Sequence, residues 1–280
     1  SDVYKRQVKH IVQNITDPDI VPYIPDGIGN STDRQRIPAV LIIPGGAFRR
    51  LVYNFEGEDV AKWLNSMGIA AFVLECRLPS DEHDNAEDVP LIDAMRAMRV
   101  IRGRAQEFGI DEAKIGVMGF SAGGFMAALL STAYESDVYA DYKYKDEYDK
   151  LSARPDFAVC SYPVISIDDC IEAGKRYMSE EQVLERISDS KAKILHKYNP
   201  DKLVRPDMPP VFICETDDDR TTLSENSVGF YMAARKAGVS AELHIFRTGG
   251  HGYGCGDDFA QTGEWKVLFT KWIKSIGIIS

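Results

Sequence analysis

The chain has 280 residues, a length that α/β proteins often fold as one unit, and 44% of its residues are hydrophobic. Its 43 acidic residues outnumber 33 basic ones and give a formal net charge of −10, so neither nucleic acid nor an anionic membrane is an expected partner. No apolar run reaches the roughly 18 residues of a membrane span. The first residues show no apolar leader, so a cytoplasmic location is expected, with secretion left open.

The apolar pattern predicts alternating strands and helices from residue 37 onward. Two segments before it, VKHIVQNI and DIVPYIP, are predicted as strands added antiparallel at a sheet edge. AVLIIP is typical of a buried strand, EDVAKWLNSMG of a helix that ends at Gly68, and IAAFVLE of the next strand. One long helix is predicted from Pro90 to Gly109, because proline favours the start of a helix and glycine its end.

The second half of the chain continues this alternation. The predicted strands are KIGVMGF, FAVCSYPVI, PVFICE and AELHIF, and the predicted helices are AGGFMAALLSTAY, SEEQVLERISDSKAKILHKY, SENSVGFYMAARKAG and GEWKVLFTKWIKSIG. Such alternation indicates βαβ units, so we predict an α/β fold in which helices cover both faces of a mostly parallel central sheet. No linker interrupts the pattern, which predicts one domain over residues 1–280 with inserts near 135–155 and 166–208.

The two inserts interrupt the regular spacing. The first contains the tyrosine-rich, charged stretch YADYKYKDEYDKLSARP, which is typical of a solvated surface loop. The alternative is a lid near the substrate, because ligands of open α/β sheets bind beyond the carboxyl ends of the strands. The sequence leaves both interpretations open.

Ser121 lies in KIGVMGFSAGG, where a predicted strand meets a predicted helix. The pattern GxSxG at such a junction is typical of a nucleophile elbow, a sharp turn that exposes a serine hydroxyl. Gly119 and Gly123 carry no side chains to clash in the turn, and the helix N-terminus presents amide hydrogens to a developing negative charge. Ser121 is therefore a predicted nucleophile, and an ordinary tight turn is the alternative.

A serine nucleophile needs a base to take its proton and an acid to orient that base. With an elbow, the chain order is Ser, then Asp or Glu, then His. His251 lies in RTGGHGYGCG after the last predicted strand, where glycines allow a loop to carry the imidazole over the sheet, and it is the predicted base. Asp217, Asp218 and Asp219 all follow PVFICE, and spacing alone does not choose among them. We favour Asp219 as the acid, with Asp218 as the alternative.

The segment IIPGGAF ends an early strand in a glycine-rich turn. In hydrolases with an elbow this position supplies one amide to the oxyanion of the intermediate, and the residue after the serine, here Ala122, supplies another. Removal of one such donor costs about 3 kcal/mol of transition-state stabilisation.

No HExxH or paired CxxC is present, and GYGCG does not open a helix after a first strand, so neither a metal nor a nucleotide cofactor is expected.

Six segments together resemble the α/β-hydrolase carbohydrate esterases, a family that includes acetyl esterases, acetylxylan esterases and feruloyl esterase-like or xylanase B-like proteins. They are IIPGGAF, EGEDVAKWLNSMGIAAFVLECRLP, IGVMGFSAGG, ARPDFAVCSYPVI, ENSVGFYMAARKAGVSAELHIF and GGHGYG. The resemblance spans about residues 37–274. It implies an α/β-hydrolase fold and a serine esterase, without a cofactor, that removes short acyl groups, above all acetyl, from a small-molecule or oligosaccharide ester.

By motif, the resemblance implies Ser121 as nucleophile, His251 as base and Asp219 as acid. It also implies an oxyanion hole formed by backbone amides, those of Gly46, Ala47 and Ala122.

Two departures from the family pattern bear on these roles. Relatives tend to have PGGGY where this chain has PGGAF, so Ala47 replaces a glycine and its amide keeps its role if its φ is negative. Relatives tend to read DDxxVP where this chain reads DDDRTTL, which bears on the choice of acid.

Arylformamidases and acylaminoacyl-type peptidases share the elbow, and a hydrolase fold can also serve binding alone. The intact Ser, Asp and His favour an enzyme.

Overall fold

The computed structural model describes residues 11–27, 36–81, 83–140, 146–188, 193–256 and 261–280. Within them the strands, in chain order, are β1 (Ile11–Val12), β2 (Asp19–Tyr23), β3 (Ile37–Ile43), β4 (Leu51–Val52), β5 (Ala70–Glu75), β6 (Ile110–Phe120), β7 (Ala158–Ser161), β8 (Val211–Thr216) and β9 (Ala241–Phe246). The α-helices are α1 (Asp59–Ser66), α2 (Val89–Gly103), α3 (Ala105–Phe108), α4 (Ala122–Ala133), α5 (Ile167–Tyr177), α6 (Glu180–Ser188), α7 (Lys193–Lys197), α8 (Ser224–Lys236) and α9 (Glu264–Ser275).

The central sheet has seven strands in the order β2-β5-β3-β6-β7-β8-β9. Every neighbouring pair is parallel except β2 and β5, which are antiparallel. Because the six parallel strands run the same way, their carboxyl ends meet at one edge of the sheet. The segments that follow β3, β6, β7, β8 and β9 therefore converge, and this edge is where ligands bind in such sheets.

Helices cover both faces of the sheet, as the sequence predicts. Alternate residues of β3 point to opposite faces, so Leu41 and Ile43 belong to a core shared with α2, α4 and α8, whereas Val40 and Ile42 belong to a second core shared with α1 and α9. Both cores are rich in aromatic or branched side chains. A strand buried on both sides reads as a continuous apolar run, which explains why AVLIIP is recognisable from the sequence.

Of the two strands predicted near the N-terminus, the first does form, but it does not lie at the edge of the central sheet as predicted. β2 does add antiparallel to the edge strand β5 of the sheet. β1, in contrast, pairs with β4 in a separate two-stranded sheet, and residues 8–10 of its predicted segment lie outside the described residues. Only two residues of each strand pair, and a pairing this short is set by where the chain passes, not by local propensity.

Three further boundaries differ from the sequence predictions. The helix predicted over 90–109 ends at Gly103 and a short helix, α3, follows, because Arg104 between them leaves the helical conformation with φ −99° and ψ 17°. The strand predicted over FAVCSYPVI ends at Ser161, since the next residue, Tyr162, has a φ of +38°. The helix predicted over 179–198 is two helices, α6 and α7, and 189–192 lie outside the described residues.

Helix α5 was not predicted. Its sequence, IDDCIEAGKRY, is polar on average and contains a glycine, although Ile167, Cys170 and Ile171 do recur at helical spacing. Ser166 caps it, since the Ser166 side chain accepts a hydrogen bond from the amide of Asp168. In the described residues no helix is both long and apolar enough to cross a bilayer.

Candidate active site

Ser121 occupies a strained turn between β6 and α4. Its φ and ψ are 54° and −117°, a conformation that side-chain-bearing residues rarely adopt. The flanking glycines are required by close packing, because a Cβ on Gly119 would lie 1.9 Å from the Gly123 carbonyl oxygen and one on Gly123 would lie 1.9 Å from that of Ile43. The turn therefore has the geometry that the GxSxG pattern predicts.

A chain of two hydrogen bonds joins Ser121 to residues distant in sequence. The Ser121 Oγ lies 2.9 Å from His251 Nε2, although the two residues are 130 positions apart. On the other side of the ring, His251 Nδ1 lies 2.7 Å from Asp219 Oδ2. The structure thus brings together the three residues that were predicted as nucleophile, base and acid. In this arrangement the imidazole can take the hydroxyl proton while the carboxylate orients the ring.

Asp219 is buried and held by several donors. Its Oδ1 accepts hydrogen bonds from the amides of Thr221 (2.7 Å) and Thr222 (3.0 Å), and its Oδ2 accepts one from the Thr222 hydroxyl (2.9 Å). Burial by itself would raise the pKa of Asp219, but His251 and these amides outweigh burial, so the pKa lies below its ordinary value. Asp219 is therefore a carboxylate at neutral pH, as a partner for an imidazolium must be.

The two neighbouring aspartates are placed differently. Asp218 is exposed and its Oδ1 accepts hydrogen bonds from the amides of Gly249 (2.9 Å) and Gly250 (2.8 Å), so it holds the loop that carries His251. Asp217 is also exposed, and its amide donates to the Phe246 carbonyl oxygen. Of the three aspartates, Asp219 is hydrogen-bonded to the imidazole.

Residues 45–48, here called the 45–48 turn, follow β3 beside Ser121. The φ values of Gly46, Ala47 and Phe48 are +138°, +57° and +57°, so the negative φ on which the role of the Ala47 amide was made to depend is not found. Left-handed conformations at non-glycine residues cost on the order of 1–3 kcal/mol each. Within the part of the chain that the structure describes, the amides of Gly46, Ala47 and Ala122 donate to no protein acceptor. These amides are thus available to a ligand.

A cavity of about 500 Å³ opens beside Ser121. Residues 46–48 of the 45–48 turn and Ala122 line part of it. Another part is lined by residues of α5, α6, α7 and the segments next to α5, here called the helical wall, most of them apolar. The wall residues are Val164, Ile167, Cys170, Gly174, Met178, Val183 and Leu195. The volume falls within the ordinary range for small-molecule sites.

The insert at 166–208 supplies most of the helical wall, whereas no described residue of 135–155 lines the cavity. The described part of the latter packs elsewhere, since Arg96 on α2 pairs with Asp146 at 2.5 Å and Tyr139 bonds Asp149. Residues 141–145 lie outside the described residues. The described part of this insert therefore lies away from the cavity and partly in the core, where Tyr139 and Ala153 are buried.

Sequence reasoning missed four residues near this site. All four are buried, and each bonds or adjoins a segment of the site. They are Glu56, Tyr162, Glu215 and Thr222. Burial raises the pKa of Glu215 well above its ordinary value, and the nearby Asp219 charge adds to this. One of the four has a visible sequence signal, since Glu215 is an ionisable residue within the apolar run PVFICET. The other three have no comparable signal. No group of three or more His, Cys, Asp or Glu side chains among the described residues is arranged to hold a metal ion.

Comparisons with known proteins identify the family. The BD-FAE family model matches residues 28–233. The chain is 31% identical over 240 residues to an acetylxylan esterase of Xylanibacter ruminicola, covering 85% of this chain and 45% of that protein. It is 31% identical over 227 residues to an endo-1,4-beta-xylanase B of Butyrivibrio fibrisolvens, covering 81% of this chain and 34% of that protein. The chain thus spans less than half the length of these curated relatives.

A solved structure is similar over nearly the whole chain. It is the crystal structure of an acetyl ester-xyloside bifunctional hydrolase from Caldicellulosiruptor lactoaceticus, with a TM-score of 0.76, 34% sequence identity and coverage of 97% of this chain and 98% of that one. The resemblance drawn from the sequence motifs is confirmed. The chain belongs to the BD-FAE family and has the α/β-hydrolase fold.

Proposed function

We propose that this protein is a serine esterase that hydrolyses short-chain acyl esters of carbohydrates, with acetyl as the preferred acyl group. The observation that carries the proposal is the hydrogen-bonded chain from Ser121 through His251 to Asp219 at the rim of a cavity. The relatives support the choice of substrate, since one is an acetylxylan esterase and another an acetyl ester-xyloside hydrolase.

The proposed first step is acylation of Ser121. His251 takes the hydroxyl proton at Nε2, 2.9 Å away, as the Oγ attacks the ester carbonyl. The carbonyl oxygen becomes an oxyanion, which accepts hydrogen bonds from the amides of Gly46, Ala47 and Ala122. Collapse of the tetrahedral intermediate breaks the bond to the alcohol oxygen, and the alcohol leaves with the proton from His251.

Deacylation repeats the same steps with water as the nucleophile. His251 takes a proton from water, the resulting hydroxide attacks the acyl carbonyl, and the acid leaves as Ser121 regains its proton. Asp219 stays ionised throughout, because its lowered pKa favours the carboxylate beside the imidazolium. Every proposed step uses side chains and amides of this chain.

The cavity supports a substrate larger than the acetyl group itself. A site of about 500 Å³ is of the size that encloses drug-sized ligands, so it has room for part of the alcohol beside the acyl group. The helical wall gives this space an apolar surface, and the exposed side chains of Arg49 and Arg50 lie on the same cavity.

The decisive experiment is a substrate panel in which acyl group and alcohol vary independently. One series keeps p-nitrophenol and changes the acid from acetate to butanoate, octanoate and ferulate. The other keeps acetate and changes the alcohol from p-nitrophenol to methanol and xylo-oligosaccharides. We expect the highest kcat/KM for acetyl esters, with acetylated xylo-oligosaccharides exceeding methyl acetate.

Two further substrates separate the rival hydrolases of the same fold. An acyl-peptide tests the acylaminoacyl peptidases and N-formylkynurenine tests the arylformamidases. A kcat/KM for either that exceeds every ester in the panel would contradict the proposal.

A further inference from the structure

Glu56 is a buried carboxylate that the proposed mechanism does not use. Only 4% of its surface is exposed, and it lies in a π-helical turn, Asn54–Glu58, ahead of α1. A buried charge is costly unless hydrogen bonds compensate it, and single π-helical turns occur frequently at functional sites. Glu56 Oε2 accepts the amide of Gly45 at 2.8 Å, and Oε1 accepts the hydroxyl of Tyr162, also at 2.8 Å. Its two oxygens thus bind two different segments of the active site.

The first of these segments is the 45–48 turn where it packs against the nucleophile. A Cβ on Gly45 would lie 2.6 Å from Glu56 Oε2, 2.6 Å from the Phe120 carbonyl oxygen and 3.0 Å from Ser121 Cβ. The carboxylate therefore holds the turn at its contact with Ser121. Ala47, two residues on, is in a left-handed conformation, and such strain persists only where the surrounding structure enforces it.

The second segment is reached through Tyr162. This side chain is fully buried, and its hydroxyl donates to Glu56 while it accepts the amide of Gly254 at 3.0 Å. Gly254 belongs to the loop that carries His251, and the Tyr162 ring packs edge-on against the imidazole with 5.1 Å between ring centroids. Burial and the charge of Glu56 raise the pKa of Tyr162 well above its ordinary value, so its hydroxyl remains a donor.

We propose that Glu56 and Tyr162 are positioning residues that fix the oxyanion amides of the 45–48 turn relative to Ser121 and His251. Neither side chain touches the substrate in this proposal, which rests on the catalytic roles proposed above. Amides that stabilise an oxyanion act mainly in the transition state, and small misplacements of reacting groups cost large factors in rate. Loss of the bridge should therefore lower kcat and leave KM nearly unchanged.

The first test compares Tyr162→Phe with Tyr253→Phe. Tyr253 is a matched control because it is equally buried and packs on Tyr162 with 4.5 Å between centroids, but its hydroxyl bonds no nitrogen or oxygen among the described residues. Hydrolysis of p-nitrophenyl acetate is measured per active site, with sites counted by fluorophosphonate titration. We expect kcat to fall about 10-fold in Tyr162→Phe, within the range for misplaced groups, with KM within 2-fold. Tyr253→Phe should change kcat by less than 2-fold.

The second test asks whether a neutral acceptor can replace the carboxylate. Glu56→Gln keeps an oxygen for the Gly45 amide and an amide group for the Tyr162 hydroxyl, whereas Glu56→Ala removes both contacts. We expect Glu56→Ala to lose about 100-fold in kcat per titrated site and Glu56→Gln to stay within about 5-fold of wild type.

Two outcomes would overturn the proposal. One is an unchanged kcat per site in Tyr162→Phe and Glu56→Ala together with a lower fraction of titratable protein, which indicates a role in stability alone. The other is an equal loss in Tyr162→Phe and Tyr253→Phe. Failure of the proposed esterase function shows in the wild-type rate, whereas failure of this proposal shows in the ratios of variant to wild type.

Discussion

On the polar side of the cavity, Ser121 is joined through His251 to Asp219 by hydrogen bonds of 2.7–2.9 Å between segments far apart in sequence. Elsewhere along the cavity, the helical wall presents apolar side chains from the short helices α5, α6 and α7. Hydrogen bonds depend steeply on distance and angle, whereas apolar contacts do not depend on direction. The polar side therefore supports one reaction. Substitutions in the helical wall can alter which substrate is preferred without altering that reaction.

The comparison predicts that substitutions on the polar side abolish turnover. Ser121→Ala should lower kcat/KM for p-nitrophenyl acetate by about 10⁴- to 10⁶-fold and abolish fluorophosphonate labelling, since the nucleophile is lost. Ser131→Ala is a matched control, because Ser131 is buried on the same helix and its hydroxyl donates to the Ala127 carbonyl oxygen one turn earlier. A Ser121→Ala enzyme with an unchanged rate would end the proposed mechanism.

The next largest effect should separate the two candidate acids. Asp219→Asn removes the charge that stabilises the imidazolium and should lower kcat by about 10⁴-fold. Asp218→Ala removes the acceptor for Gly249 and Gly250 and should cost about 10-fold by loosening the loop that carries His251. The measurement is kcat per titrated site at pH 7.5. A larger loss in Asp218→Ala than in Asp219→Asn would reassign the acid.

The helical wall should respond in selectivity. Ile167→Phe fills part of the cavity, so we expect the ratio of kcat/KM for butanoate over acetate to fall about 10-fold, a typical effect of a steric change in an apolar pocket. Kinetics on p-nitrophenyl esters measures this ratio. Val267→Phe, at an exposed position on α9 outside the cavity lining, should leave the ratio unchanged. An unchanged ratio in Ile167→Phe as well would place the acyl group away from the wall.

The smallest expected effect concerns stability. Burial and then the Asp219 charge raise the folded pKa of Glu215 well above its unfolded value of about 4.3, so its contribution to stability is full below that unfolded value and is lost as pH rises through the folded pKa. Glu215→Gln has no proton to lose. In thermal melts over a pH series, the Tm of the variant relative to wild type should therefore rise as pH increases. Parallel Tm profiles for the two proteins would contradict this.

The sequence predicted the repeating strands and the nucleophile better than the helical wall. β3 and β6 are buried on both faces and their apolar runs are unmistakable, and the elbow needs glycines at fixed positions next to Ser121. Helix α5 is polar on average and contains a glycine, so it was overlooked even though Ile167, Cys170 and Ile171 follow helical spacing. Strand β1 pairs over two residues, too few for a local signal.

The choice among the aspartates shows the same limit at the site. Asp217, Asp218 and Asp219 are chemically identical and adjacent, and their side chains diverge only because the backbone turns after β8. Asp219 turns inward to His251, whereas Asp218 faces two backbone amides of the next loop. The positive φ at Ala47 likewise follows from contacts of the 45–48 turn with Ser121 and Glu56, not from alanine's own preference.

The sequence by itself determined the α/β alternation, the elbow serine and the histidine of the last loop, because each depends on residue types at short spacing. Tertiary structure alone decided which aspartate bonds the imidazole and which residues line the cavity. It also decided that Glu56 and Tyr162 link the 45–48 turn to the loop that carries His251. Those features are distances between atoms from remote segments. They exist only once the parallel strands bring their carboxyl ends to one edge of the sheet.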